Sequence, residues 1–460
     1  MPLPLLLLVF LNDCDIREKG KKAKRQKGDK TIYINRDYTM STTSFSNYVE
    51  SGANLLTGTG TEKLVGTFRV EHSSSTIVNT LRRCILMDVR SVGFRVDLTQ
   101  SSNPGIVFRK NTSVIVNEML AHRITMIPVA IRQLDSFDPS EYQCVLQVKN
   151  SLKDSISEKT IQHITTNDFK IVRKQGQGQG QGQEEVLGVD ATLEMFPPDP
   201  ITGQNILIVS LRPQWNPDQP PEEIDLTAYP VIGTGRDHMG FCPVSQCSFE
   251  NMPDTDPSHQ EAFFTRWLLE YKKITDAATV PPDQIASLRR EWSTLAIQRC
   301  FLVNEKGEPD SFNFTVESIG VRSVPEIVIE GIQAVIDLVT PYENITNPAD
   351  VGITIQPSDS RMVHGADVLF AEQEHTLGVL LQSLITELFL DTLSDSPLTS
   401  VGYKVPHPLE RIMKLRLGFR TEVTETDVIQ IISAAATKAK DIFTDMKQSW
   451  ISLTTSKHTA

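Results

Sequence analysis

Leu377, Leu380, Leu381, Leu384, Ile385, Leu388 and Phe389 recur at the spacing of one helical face. The face is broad and almost wholly leucine, so it needs a second large apolar surface to cover it. The spacing predicts a helix over 375–390 that ends near Asp391. Three more stretches carry comparable stripes. Ile77, Leu81, Cys84 and Ile85 line a helix behind the caps Ser73, Ser74 and Ser75. Val328, Ile332, Val335, Ile336 and Val339 line one that Ser323 and Pro325 open. Val428, Ile431, Ile432, Ala435, Ala439, Ile442, Phe443 and Met446 line a last helix of about five turns, with Thr424 and Asp427 as its capping box. A shorter helix buries Leu120, Ile124 and Ile127 and stops at Pro128. Alternating positions predict strands over 64–70, 92–98, 113–116, 312–320, 351–355 and 413–417.

These elements divide the chain. Residues 1–62 read as a disordered leader, charged and then rich in Ser, Thr and Gly. Within it the apolar run 3–11 precedes the basic run 17–30. A secretory signal has the opposite order, so export is not expected, and Met40 is a plausible start. Residues 131–310 are strand-rich, at 142–148, 164–169 and 206–211, with a helical addition at about 254–300 marked by Phe264, Trp267, Leu268, Tyr271, Ile285, Leu288 and Leu295. The Gln-Gly alternation 175–183 reads as a flexible surface loop without a function of its own. Residues 341–349 form a linker. The fold class is α+β: one domain made of 63–130 and 311–340 around the β-rich insert 131–310, and a second over 350–450.

Several motifs resemble a known family. Glu374-His375-Thr376-Leu377-Gly378, followed by Gly402-Tyr403-Lys404-x-Pro406-His407-Pro408-Leu409-Glu410, resembles the small eleventh-type subunit of eukaryotic and archaeal RNA polymerases. Asn79-Thr80-Leu81-Arg82-Arg83 and Asn117-Glu118-x-Leu120-Ala121-His122-Arg123-Ile124-x-x-Ile127-Pro128 resemble the third-type subunit, the relative of bacterial alpha. The stretch 235–253 and the run Phe314-x-x-Glu317-Ser318-x-Gly320 are similar to the same family. The resemblance covers roughly 64–448. Two subunits that are usually separate chains stand in one, an arrangement similar to that of large cytoplasmic DNA viruses.

The resemblance implies two alpha-subunit-like dimerisation domains paired within the chain. Ile77, Val328, Ile332, Val335, Leu377, Leu380, Leu381, Leu384, Leu388, Ile431, Ile432 and Ala435 would then meet in one helix-on-helix seam. Taken singly, each of these helices is better read as lining a private core; the four together, arriving in family order, favour the seam. The resemblance also implies a partner-facing edge of Asn79, Leu81, Arg82, Arg83, Asn117, Glu118, His122 and Arg123, docked on the second-largest polymerase subunit. On charge alone, Arg82 and Arg83 read as a solvated face. Implied partners are the two largest subunits and the small tenth- and twelfth-type subunits, with DNA met only through the complex and no membrane. The implied function is a non-catalytic assembly platform for DNA-templated transcription. The implied location is host cytoplasm and virion for a viral chain, and the nucleus otherwise.

Composition narrows the rivals. The chain holds 45 Lys and Arg against 57 Asp and Glu, a net charge of −12, which argues against a DNA-binding transcription regulator that reuses the fold. The six cysteines are scattered and suit a reducing compartment. His238, Cys242 and Cys247 offer three zinc ligands without a fourth at useful spacing, so no metal is expected. The sequence carries no Asp-x-Asp-x-Asp run, no phosphate loop and no nucleophile elbow, so no cofactor and no catalytic residue are assigned. His407, between two prolines, reads as a turn residue.

Overall fold

The structure, a computed structural model, describes residues 43–51, 64–96, 105–131, 134–151, 160–174, 184–199, 202–275, 280–358, 364–391 and 396–458. The chain opens with β1 (Ser44–Ser51), β2 (Val65–Glu71) and α1 (Ser75–Met87). β3 (Arg90–Phe94), β4 (Ile106–Asn111), α2 (Asn117–Thr125), β5 (Tyr142–Asn150), β6 (Gln162–Thr165), β7 (Lys170–Lys174), β8 (Glu184–Val186), α3 (Val189–Met195), β9 (Leu207–Leu211), β10 (Glu222–Ala228) and β11 (Pro230–Thr234) follow. β12 (Val244–Asn251), α4 (Pro257–Lys272), α5 (Pro282–Glu291), β13 (Phe312–Ser318) and α6 (Val324–Val339) complete the first half. The second half is β14 (Ile353–Pro357), β15 (Gly365–Ala371), α7 (His375–Ile385), β16 (Leu398–Lys404), β17 (Ile412–Phe419) and α8 (Glu425–His458).

Each half repeats one plan, an antiparallel four-stranded sheet with two helices. The sheet orders are β1-β2-β13-β12 and β14-β15-β17-β16. In β13 the alternation is strict: Phe312, Phe314, Val316 and Ser318 point inward. α6 starts where Ser323 and Glu326 close a capping box. The four helices close a ring, α1 on α6, α6 on α8, α8 on α7 and α7 on α1. Ile77, Val328, Ile332, Val335, Leu377, Leu380, Leu381, Leu384, Ile431, Ile432 and Ala435 are all buried there. Gly331 of α6 sits directly on Ile85 of α1, where any Cβ would clash.

The longest helix ties the halves together. α8 has 34 residues, a length of about 50 Å, so its last turns reach the first half's sheet. There Trp450 is fully buried among Phe45, Tyr48 and Phe68, at ring-centroid distances of 5.1, 5.0 and 4.7 Å. Its indole Nε1 donates to the Pro325 carbonyl at 3.2 Å. The Ser449 hydroxyl accepts from the Phe45 backbone N–H at 3.0 Å.

Four expectations need correction. Residues 44–51, assigned to a disordered leader, form β1. Its inward residues Phe45 and Tyr48 stand three apart because Asn47, at φ 51°, makes a bulge that breaks the alternation. No strand forms over 113–116. The Asn111 carboxamide oxygen accepts from the Ser113 N–H (3.0 Å) and hydroxyl (2.7 Å), turning the chain after β4. The strand over 164–169 stops at Thr165, where Asp168 Oδ2 accepts from the Thr165 N–H at 2.7 Å and caps a short 3-10 turn. Leu388 is only half-buried: a π-helical turn over Thr386–Asp391 shifts the helical phase and puts Phe389 inward instead.

The insert, joined by β3 and β4 from the stretch assigned to the first domain, builds its own body around the sheet β4-β10-β5-β7-β8 and the ribbons β6-β9 and β11-β3. Leu120, Ala121, Ile124 and Ile127 of α2 and the turn after it share its core with Cys144, Leu146, Ile171 and Leu226. β12, although it falls within 131–310, pairs with β13 in the dimerisation sheet. The linker is not slack, since Tyr342 is buried against Phe370 at 5.4 Å. The Gln-Gly stretch 175–183 lies outside the described residues. Among the described residues no helix is long and apolar enough to cross a membrane.

Among the described residues of the second half one carboxylate is fully buried, Asp367 on β15. Arg416 donates to it through Nε (2.6 Å) and Nη2 (2.7 Å), and Lys414 Nζ at 3.0 Å. The Arg416 hydrogen bonds, with Lys414 beside them, hold its pKa at about 2, against 3.8 ordinarily. A folded-state pKa below the unfolded one gives stability that is complete above the unfolded value and lost as pH falls through the folded one. The advantage of the native chain over Asp367→Asn should therefore shrink by about 2 kcal/mol from neutral pH to about pH 2. Urea unfolding of both proteins across that range checks this, and a pH-independent difference contradicts it.

Candidate assembly interface

The loop between β11 and β12 packs between the two helices that carry the expected site residues. Thr234 N–H and hydroxyl donate to Asp237 Oδ2, both at 3.1 Å, which folds the loop back on itself. Gly235 and Gly240 press it onto backbone carbonyls of Leu86 and Thr125, at the ends of α1 and α2, where any Cβ would collide. The loop is thereby wedged between the two helices.

Its charged residue serves the seam. Arg236 donates from Nε and Nη2 to the Asp88 carboxylate at 2.7 and 3.1 Å, and its Nη1 lies 3.6 Å from Glu374 at the start of α7. The hydrogen bonds to Asp88 raise the guanidinium pKa. Arg83 Nε donates to the Thr376 hydroxyl at 2.8 Å, so it too links α1 to α7. Arg83 thus engages the second half, although the sequence reading set it toward a partner. Leu81 is fully buried, so it belongs to the core and offers nothing to a partner. Its place on the apolar stripe with Ile77, Cys84 and Ile85 prevails over its place in the pentapeptide motif.

The remaining candidates fall into two groups. Arg82 Nε donates to Asn79 Oδ1 at 3.0 Å, both half-buried on α1. Asn117, Glu118, His122 and Arg123 are exposed on α2. Asn117 Oδ1 accepts from Asn111 Nδ2 at 2.8 Å, Arg123 Nη2 donates to the Leu207 carbonyl at 3.0 Å, and the His122 ring meets that of His238 edge-on at 6.3 Å. Among the described residues no hydrogen bond or ion pair joins the two groups. Beside the α2 group stand large exposed apolar side chains: Val114, Val116, Met119 (65% exposed), Met126 and Met239. The sequence reading missed these, because an apolar residue outside the helical stripe carries no signal of its own.

Among the described residues no group of three or more His, Cys, Asp or Glu is placed to hold an ion. His238 Nδ1 accepts from the Gly240 N–H at 3.0 Å, the Cys242 thiol lies 3.3 Å from the Val244 carbonyl, and burial pushes the Cys247 thiol up to about 12.

The paired halves match a described family. The RNA polymerase Rpb3/Rpb11 dimerisation domain matches this chain twice, over residues 67–339 and 366–449. This chain belongs to the RNA polymerase Rpb3/Rpb11 dimerisation-domain family. Among its relatives, subunit RPAC1 of DNA-directed RNA polymerases I and III from Saccharomyces cerevisiae is 28% identical over 207 residues, 40% of this chain and 53% of the relative. The human RPAC1 is 26% identical over 287 residues, 56% of this chain and 74% of the relative. Subunit RPB3 of RNA polymerase II from Schizosaccharomyces pombe is 25% identical over 270 residues, 58% and 78% of the two chains. The alignment with the yeast RPAC1 spans about half of that relative's length.

In this dimerisation-domain chain the two family matches meet at α1, α6, α7 and α8, and Arg236 and Arg83 fasten the polar edge of that meeting. Arg236→Ala should cost about 1 kcal/mol, and Arg236→Lys should recover less than half, since an ammonium lacks the planar fork that engages Asp88. Urea melts of the three proteins decide the matter, and equal midpoints contradict it.

Proposed function

We propose that this chain is a non-catalytic assembly platform of a multi-subunit DNA-directed RNA polymerase, on which the two large catalytic subunits associate. The observation that carries the reading is the double family match on two halves whose helices pack into one ring. The polymerase subunits among the relatives support it. The physical advantage of one chain is effective concentration, since the linker 341–349 replaces a bimolecular encounter by an intramolecular one and fixes equal stoichiometry.

In this reading the exposed face of α2 receives the second-largest subunit. Its make-up supports that role. Met119, Met126 and Met239 supply adaptable apolar contact, and His122, Arg123 and Glu118 ring them with hydrogen-bonding groups. The largest subunit and small tenth- and twelfth-type subunits complete the proposed neighbours. Two family domains in one chain also support the arrangement of large cytoplasmic DNA viruses, with the host cytoplasm and virion as its place; a cellular source would put it in the nucleus.

The test is capture of the tagged full chain from its native cells, with mass spectrometry of what accompanies it. Both large polymerase subunits should be recovered. The double variant Met119→Glu and His122→Glu should lower recovery of the second-largest subunit about tenfold, with an unchanged circular dichroism spectrum. Equal recovery by native chain and variant would remove α2 from the interface. Absence of both large subunits would overturn the polymerase reading.

A further inference from the structure

The helical addition leaves a groove that neither the seam nor the proposed interface uses. α4 and the turns after α5 pack around a small core of Phe264, Trp267, Leu268 and Trp292. On its outer side a groove of about 340 Å³ runs between α4 and the segment that follows α5. Phe263, Trp267 and Tyr271 from α4 face Leu295 and Ala296 across it. Positions 263, 267 and 271 lie one helical turn apart, which makes a continuous aromatic wall.

A break in helical phase shapes the opposite wall. An unbroken helix carrying Ile285, Leu288 and Trp292 inward would also bury Leu295. A π-helical turn over Trp292–Ala296 interrupts that phase, and Leu295 stands 71% exposed on the groove. Charge then gives the groove a sign. Glu291 is neutralised by Lys272, whose ammonium lies 2.7 Å from it and also covers the Trp267 ring at 5.1 Å. Arg266 and Arg299 line the same groove, are exposed, and have no hydrogen-bond or ion-pair partner among the described residues. Against these two guanidinium groups stands one unpaired carboxylate, Glu270. In a chain of net charge −12 this is a local cationic rim on an aromatic floor.

We infer that this groove binds an acidic protein segment that carries an aromatic or leucine anchor. The anchor fills the space between Trp267, Tyr271 and Leu295, and flanking carboxylates take the forks of Arg266 and Arg299. The cationic pair selects this occupant over a basic or uncharged one. β12 leads from the loop beside α2 toward the addition, and eight strand residues separate the two by about 25 Å. The groove is thus set apart from the α2 face, and the inference stands without the polymerase reading.

The test uses the full chain and a short fluorescein-labelled peptide of Asp and Glu with Phe and Leu at helical spacing. Fluorescence anisotropy should show saturable binding that weakens about tenfold in the double variant Arg266→Glu and Arg299→Glu, and about tenfold in Leu295→Asp. All three positions are exposed, so a matching circular dichroism spectrum confirms that the variants fold. A peptide with its Phe and Leu replaced by Ser should bind at least tenfold more weakly than the intact one. No binding of the acidic peptide, equal binding by the variants, or equal binding of the Ser-substituted peptide would each overturn the inference. So would concentration-dependent self-association abolished by Leu295→Asp, which would assign the groove to a second copy of the chain.

Discussion

The packing of four amphipathic helices into one ring is the constraint on which the other features depend. Each sheet of four strands has one apolar face, and two helices cover it only in part. The leucine face of α7 and the Ile and Ala face of α8 stay wet unless α1 and α6 meet them. Burying one such side chain contributes about 2 kcal/mol, so leaving the ring open would expose many times the margin by which a domain is stable. Small residues set how close the helices come. Gly331 lets α6 rest on Ile85, and Ala435, Ala436 and Ala439 give α8 a flat buried face.

Polar contacts then fix the register of that apolar ring. Arg83 reaches Thr376, Arg236 spans Asp88 and Glu374, Lys447 Nζ reaches Gln333 at 2.6 Å, and Lys440 Nζ reaches Glu343 at 2.6 Å. Each joins the first half, or the linker, to the second. None is worth much alone in partial exposure. Together they exclude sliding of one half on the other, which hydrophobic burial alone does not resist. Trp450 adds a stop at the far end of α8, because its indole N–H has one acceptor, the Pro325 carbonyl at the start of α6.

Much of this was legible in the residue pattern. The apolar stripes of α1, α6, α7 and α8 are long and regular, and the caps at Ser323 and Thr424 mark their starts. The α+β class and the pairing of two like domains followed from them and from the motifs. What escaped was local chemistry that overrides periodicity. Asn47 in a left-handed conformation hid β1, the Asn111 turn cancelled a strand at 113–116, and π-helical turns moved Leu388 and Leu295 out of phase. The candidate site was only half legible. The pentapeptide named Leu81 and Arg83 as partner-facing, but helical phase buries one and turns the other to α7, while the exposed methionines beside His122 carried no pattern at all.

The pairing of the halves can be tested on the intact protein. A protease site placed between Asn344 and Asn347, in the connection that follows Tyr342, allows the purified chain to be cut after it has folded. Size-exclusion chromatography under native conditions then reads the association directly. The two fragments should co-elute at the position of the uncut chain and part only in denaturant. Elution as two separate folded pieces in native buffer would contradict the account.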